Sequence, residues 1–313
     1  MIQPAKETDR SVDPAATDEI PIASPGLPVV AEPSSSRFHV DYGAVTHQGL
    51  VRTHNEDRYS VTRFGRSLHT LLTNLAEQRL PRRLDEVGYG MVVADGLGGA
   101  AAGEFASEMA VLTLIGMILE TPDWIMSTRP TEVERVLERM TERFERIDQV
   151  IKDRSETDSK LAGMGTTMTL AASLGARLAI AHVGDSRAYL LRGAEFHRLT
   201  KDHTVAQHLV DTGVFESVDQ VSRRLQHALD RCLGGQGGHC TPDVHQLLLA
   251  DGDQLLLCTD GLTNMVDDGR IAKILAECDT ARAASQALVD AALANGGKDN
   301  VTVVVARYRF LDA

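Results

Sequence analysis

The stretch Met91-Val92-Val93-Ala94-Asp95-Gly96-Leu97-Gly98-Gly99 decides how this chain reads. A short apolar run delivers one aspartate to its end, and glycines follow where the backbone must turn tightly. The small-residue segment from Ala100 to Glu120 then starts a helix. Taken alone, Asp-Gly after a strand is a turn and nothing more. The chain, however, repeats the device. Leu255-Leu256-Leu257-Cys258-Thr259 ends in Asp260-Gly261, and Ala179-Ile180-Ala181-His182-Val183-Gly184 ends in Asp185. Asp299 sits just before Val301-Thr302-Val303-Val304-Val305, and Asp57 follows Asn55-Glu56 near the first strand. Carboxylates at several strand ends, far apart in sequence, point to one acidic pocket that takes hard cations through oxygen. Gly96-Leu97-Gly98-Gly99-Ala100-Ala101 also mimics the glycine-rich turn of a dinucleotide site, so the rest of the chain must arbitrate.

The chain has 313 residues, enough for one large domain or two small ones, and 43% apolar residues allow a sizeable core. A net charge of -12 argues against a general nucleic-acid or membrane-surface binder, which would want a basic face. No run of eighteen apolar residues exists, so no membrane span is expected. The opening Met1-Ile2-Gln3-Pro4-Ala5-Lys6 lacks the basic-then-apolar pattern of a signal peptide. Cys232, Cys240, Cys258 and Cys278 form no C-x-x-C and no zinc spacing, and Cys258 reads as a buried small hydrophobe within a strand. These features suggest a reducing cytoplasm.

In chain order, residues 1–36 are rich in Pro, Ala, Ser, Asp and Glu without an apolar period, and are expected to form a disordered tail. A strand is predicted over Phe38–His47, with Phe38, Val40, Tyr42 and Ala44 on one face. The polar knot Arg52-Thr53-His54-Asn55-Glu56-Asp57 follows, and strand character resumes at Tyr59-Ser60-Val61. Residues 65–88, with Arg66, Arg79, Arg82 and Arg83, read as an irregular basic insertion containing a short helix. Gly103–Glu120 reads as a buried helix with Phe105, Met109, Leu112 and Ile115 one turn apart. A second helix is expected over Glu132–Ile151, opened by the capping box Thr131-x-x-Glu134.

The pattern then changes to strands at hairpin spacing: Thr167–Ser173, Arg177–Val183 and Ser186–Arg192, a meander. Asp202 is expected to cap a helix over His203–Thr212. His245–Leu249 and Gln254–Cys258 read as a hairpin across Asp251-Gly252. Helices over Asp268–Glu277 and Ala281–Ala294 precede a last strand from Val301 to Tyr308. Hairpins with paired helices argue for an α+β layered domain on antiparallel sheets, and against the alternating βαβ pattern of a dinucleotide fold.

The knots stand in a definite order: Arg52-Thr53-His54-Asn55-Glu56-Asp57, Asp95-Gly96-Leu97-Gly98-Gly99, Gly163-Met164-Gly165-Thr166-Thr167, Gly184-Asp185-Ser186-Arg187, Asp260-Gly261-Leu262-Thr263 and Gly297-Lys298-Asp299-Asn300-Val301-Thr302. This order resembles the metal-dependent PP2C (PPM) family of protein serine/threonine phosphatases in its bacterial form, over roughly residues 38–310. The resemblance implies a central β-sandwich of two antiparallel sheets flanked by helices on both faces, occupying residues 37–313. It implies two Mn²⁺ or Mg²⁺ ions bridged by Asp95, with the Gly96 carbonyl as a further ligand. Asp57 would reach one metal, directly or through water, with Glu56 in support, and Asp260 and Asp299 would hold the other, with Asn300 beside them. Asp185 with Asp260 would form a third, weaker site, and Arg52 would grip the substrate phosphate.

The chemistry agrees with these residue types. A phosphate monoester dianion repels hydroxide, and two cations would neutralise that charge and acidify a bridging water for in-line attack. Hard oxygen ligands suit Mg²⁺ or Mn²⁺ rather than structural zinc. The planar fork of arginine fits two phosphate oxygens. Two departures from the family stand out. Leu97 follows Asp-Gly where some members carry a histidine assigned as proton donor; His54 and His203 are conceivable substitutes, though each reads more simply as a structural or exposed histidine. Asn264 stands where many relatives have Asp. Residues 200–238 correspond to the mobile flap of relatives, where Arg223-Arg224 either meets acidic substrate segments or is a solvated pair.

The expected activity is hydrolysis of phosphoserine and phosphothreonine in proteins phosphorylated by a Ser/Thr kinase, by a cytoplasmic monomer. Two rivals remain at this point. One is a non-catalytic phosphoprotein-binding scaffold of the same fold, which an incomplete metal shell would favour. The other is a regulatory phosphatase acting on an anti-anti-sigma-like partner, a variant that usually carries sensor domains.

Overall fold

The first strand, β1 (Phe38–His47), lies where the alternating pattern places it. The structure, a computed structural model, describes residues 38–75, 82–120, 130–235 and 240–311. The expected tail over residues 1–36 falls outside them. Next come β2 (Asp57–His69), β3 (Arg83–Leu97), α1 (Ala100–Glu120) and α2 (Pro130–Thr157). A run of strands follows: β4 (Gly165–Thr166), β5 (Met168–Leu174), β6 (Arg177–Val183), β7 (Arg187–Arg192) and β8 (Glu195–Arg198). Two short helices, α3 (Val205–Asp211) and α4 (Arg223–Gln226), lead to β9 (Leu233–Gly234), β10 (Asp243–Leu248) and β11 (Gln254–Cys258). The chain closes with α5 (Asp260–Thr263), α6 (Asp268–Glu277), α7 (Ala281–Ala294) and β12 (Val301–Phe310).

Among the described residues every pairing of these strands is antiparallel. One sheet runs β1-β12-β11-β7-β8; the other runs β10-β6-β5-β3-β4-β9, with β2 also paired to β3. Between the sheets lies a core of alternating inward residues, including Val40, Met91, Val93, Leu178, Leu190, Leu255 and Val304. The residues that alternate with them point outward and are also apolar, because helices cover both outer faces. Val92, Ala94 and Leu170 pack under α1 and α2, while Leu256, Cys258, Val303 and Val305 pack under α6 and α7. The β-sandwich with helices on both faces is therefore present as expected.

Several local expectations are corrected. Residues 65–69 and 83–88 are not irregular: β2 and β3 continue as one ribbon from Asp57↔Asp95 out to His69↔Arg83, while residues 70–75 and 82 are irregular as expected and residues 76–81 lie outside the described residues. Charged side chains obscure the strand pattern there because both faces of a protruding ribbon meet solvent. The strands β5, β6 and β7 are not one meander. After β6 the chain crosses to the other sheet, where β7 pairs with β8 and β11. Likewise β10 pairs with β6, and β11 with β7 and β12, so these two do not form a hairpin. Thr204, not Asp202, caps α3 through its hydroxyl, and Asp202 instead holds Arg187 and Arg198.

The buried face of α1 is Ala102, Ala106, Ala110 and Leu114; Phe105 and Leu112 are 37% and 60% exposed. Small residues let the helix approach the sheet closely, which the longer side chains would prevent. Ala101–Glu120 is long and apolar enough to cross a membrane by length and composition, although its alanine face is part of this core. α2 begins at Pro130, and the side chains of the capping box Thr131 and Glu134 lie outside those described.

Candidate active site

Strand pairing alone brings most of the acidic residues together. Asp57 opens β2 directly opposite Asp95 near the end of β3, so the two carboxyl groups leave one face of the sheet as a cross-strand pair. On the other sheet β11 and β12 are antiparallel neighbours. The end of β11 delivers Asp260, and the residues just before β12 are Asp299 and Asn300. The corner at which the chain leaves β6 for β7 carries Asp185, next to Gly184 with φ 112°. The same ends of both sheets therefore frame one open pocket of about 790 Å³ that includes Asp95, Asp185, Asp260, Asp299, Arg52 and Gly96.

Asp57 lies beneath the floor of this pocket, 1% exposed. Its Oδ2 accepts a hydrogen bond from the Thr259 hydroxyl at 2.8 Å, whereas its Oδ1 is buried with no partner. Burial, partly offset by hydroxyl hydrogen bonds and reinforced by Asp260 and Asp299, pushes its carboxyl up to about 7. Asp95 is raised well above the ordinary carboxyl range, first by burial and then by Asp57 and Asp260. Asp185 and Asp260 are raised for the same two reasons, burial first and neighbouring carboxylates second. Removing charge from water is costly, and here several like charges share that cost.

The walls are braced by polar contacts. Asn300 Oδ1 accepts from the Glu56 amide at 2.8 Å, and its Nδ2 donates to the carbonyls of Gln48 and His54, both at 2.8 Å. This single side chain holds the loop that carries Arg52. The guanidinium of Arg52 donates to Asp299 Oδ2 at 2.7 Å, and that bond is the first reason its charged form is favoured. Burial raises the Glu56 carboxyl, which lies against the α1 backbone at Gly103. A Cβ at Gly96 would run into the backbone of Gly103, and one at Gly103 into Glu56 Oε2. Glycine at both positions lets α1 press onto the Asp95-Gly96 turn.

The predicted residues thus collect in one place, with Arg52, Glu56, Asp95, Gly96, Asp185, Asp260, Asp299 and Asn300 lining the pocket and Asp57 just below it. Asn264 joins them and donates to Asp260 Oδ2 at 2.9 Å. The two histidines considered as donors lie elsewhere. His54 shares a 2.9 Å hydrogen bond with Thr53, and His203 is buried, bonded to the Gly184 amide and to Asp243. Burial pushes the imidazole of His203 down, and that of its ring neighbour His182 down to about 3. Sequence reading missed Gln226, His227 and Leu229, which the end of α4 and the segment after it place in the pocket wall. No local pattern marks them, because the flap folds back from far along the chain.

The donor set fits hard divalent cations. It offers carboxylate and carbonyl oxygens, an orphaned buried oxygen on Asp57, and carboxyl groups that neighbours and burial hold away from free ionisation. Among the described residues no three His, Cys, Asp or Glu side chains already form a closed metal-binding group, and Asp299 is turned onto Arg52. The backbone thus brings the carboxylates to one pocket without closing them into a metal-binding group.

Comparison with known proteins agrees with the geometry. The family model described as Protein phosphatase 2C matches residues 82–295. The serine/threonine phosphatase stp of Listeria monocytogenes is 32% identical over 260 residues, which span 83% of this chain and 92% of that protein. The solved S. agalactiae serine/threonine phosphatase superposes with a TM-score of 0.69 at 29% identity, covering 86% of this chain and 99% of that one. The catalytic domain of the serine/threonine protein phosphatase PstP, solved in complex with 2 manganese ions, gives a TM-score of 0.66 at 31% identity, covering 87% and 99%. Sequence, topology and the placement of the acidic residues lead to one conclusion: the chain belongs to the protein phosphatase 2C family, the metal-dependent phosphatases that hydrolyse phosphoserine and phosphothreonine in proteins.

Proposed function

We propose that the acidic pocket is where this phosphatase works, with two Mn²⁺ or Mg²⁺ ions in its core. Asp57, Asp95, Asp260 and Asp299, with the Gly96 carbonyl, would hold them. Asp185 with Asp260 would hold a third, weaker ion. The observation that carries this reading is the buried, partnerless Oδ1 of Asp57 beside carboxyl groups that raise one another. When bound, the ions supply positive charge against the phosphate dianion and make a water molecule acidic enough to act as nucleophile.

The remaining steps belong to the chain. Arg52 is 54% exposed at its side chain and reaches the pocket from a loop pinned by Asn300. Its fork takes two phosphate oxygens and turns the phosphorus toward the acidic floor. Asp299 is its present partner, so the arginine passes from carboxylate to phosphate as substrate enters. Glu56 and Asn300 fix this loop against α1 and β12, and Thr259 orients Asp57.

The substrates are phosphorylated proteins, the products of a Ser/Thr kinase, and the enzyme acts as a cytoplasmic, monomeric signalling phosphatase. Residues 37–313 form the catalytic domain. The scaffold reading is not favoured, since the relatives are serine/threonine phosphatases and each expected carboxylate lines or underlies the pocket. Phosphate release from a phosphothreonine peptide tests the assignment. Turnover should require Mn²⁺, vanish in EDTA and be lost in Asp95→Asn; turnover that survives EDTA would sink it.

A further inference from the structure

The ester oxygen of serine or threonine leaves poorly as an alkoxide, so a positioned acid lowers the barrier to its departure. Leu97, directly after Asp95-Gly96, has no proton to give. Among the described residues His227 is the one histidine that lines the acidic pocket. It caps the C-terminus of α4, is exposed, and makes no hydrogen bond or ion pair among the described residues, so its ring is available.

Its backbone, by contrast, is held on both sides. Gln226 Nε2 donates to the carbonyls of Val218 at 3.0 Å and Val221 at 2.8 Å. The Val205 amide donates to Ala228 O at 2.8 Å, Leu229 bridges Thr204, and the Asp230 amide donates to His203 O at 2.8 Å. His203 is itself fixed to Gly184 beside Asp185: its amide donates to the Gly184 carbonyl at 2.7 Å. Asp260 and Thr263 line the same pocket as His227.

We propose that His227 donates the proton to the leaving serine or threonine oxygen, which makes it a catalytic residue of the pocket; the inference rests on the pocket being the phosphatase site. The attacking water forms the new P–O bond and gives up one proton. The ester P–O bond breaks, and its electron pair stays on the side-chain oxygen. The imidazolium protonates that oxygen, becomes neutral and is recharged from solvent. Ester dianion and water thus become a free hydroxyl and hydrogen phosphate. Lys298 is the competing donor in the same pocket, whereas Arg52 and Arg223 hold their protons too tightly.

The test compares two leaving groups on the full chain with Mn²⁺. A phosphothreonine peptide needs a proton on departure, while p-nitrophenyl phosphate releases a stabilised phenolate that does not. His227→Ala and His227→Gln should each lower kcat on the peptide about 100-fold, with a loss at least about tenfold smaller on p-nitrophenyl phosphate. Melting by circular dichroism should stay unchanged, since the side chain is exposed. Equal losses on both substrates, or no loss on the peptide, would overturn the assignment. So would Lys298→Met showing the leaving-group-dependent loss while the His227 variants do not. A wild-type protein inactive on both substrates would instead bring down the pocket assignment itself, and this inference with it.

Discussion

This chain buries aspartates in two opposite ways. Asp253 is fully buried, and Arg192 clasps it with two hydrogen bonds of 2.9 and 2.7 Å while the Ala250 amide adds a third at 2.8 Å. Asp148, 1% exposed, is held by Lys152 at 2.8 Å and the Gly234 amide at 2.8 Å. Each has its own cation and spare donors, and each ties distant segments together. In the pocket, Asp57, Asp95, Asp185 and Asp260 face chiefly one another, and burial raises every one of them. A carboxylate buried with a side-chain cation serves the fold. A group of carboxylates buried without one is kept at a cost in stability, and on the proposed function that cost serves cations taken from solution.

That contrast can be broken, and the largest effect comes from the pocket itself. Asp95→Asn or Asp260→Asn should lower phosphatase kcat by about 10³ or more while leaving the melting temperature near wild type. Near-normal turnover in either variant would mean that the carboxylates do not share a metal site.

The structural pair should respond the other way round. Arg192→Met strands the Asp253 carboxylate, and urea unfolding should show a loss of about 3 kcal/mol with kcat retained in the folded fraction. Asp57→Asn in EDTA at pH 8 should instead show no loss of stability, or a gain, because it removes an unpaired buried charge. If both variants destabilise alike, the distinction between the two kinds of burial fails.

Arg52 straddles both regimes, since its ion pair with Asp299 is largely exposed. Arg52→Ala should cost little stability. It should lower kcat/KM by about 10- to 100-fold, chiefly through KM, and Arg52→Lys should restore only part of that. Unchanged kinetics would remove the arginine from phosphate binding.

A further effect is a pH dependence. Asp57 carries its proton up to about 7 in the folded chain, against an ordinary value of 3.8. Between these values the folded state binds more protons than the unfolded one, so stability falls as pH rises across that window. Melting in EDTA, taken as wild type minus Asp57→Asn, should therefore decline from about pH 4 to about pH 7, and saturating Mn²⁺ should flatten it. A difference that grows with pH would contradict an unpaired carboxyl in the floor.

Much of this was legible in the residues alone, and the limit of legibility is physical. Local patterns carry local facts. The alternation in Phe38–His47 and the apolar runs before Asp95 and Asp260 set strands, and the stripes over Asp268–Glu277 and Ala281–Ala294 set helices at the observed bounds. The aspartates that end those strands, and the order of their motifs, fixed the family and the acidic pocket. Alternation cannot say which sheet a strand joins, because an inward residue looks the same from either side of a sandwich. Only the tertiary structure therefore sent β6 and β7, and β10 and β11, into different sheets, and placed Asp185 at one of the crossings. It alone gave Asp253 an arginine and left Asp57 Oδ1 without a partner. It also took His203 out of consideration and brought in His227, since charge pairing and pocket walls depend on distances between segments that are remote in sequence.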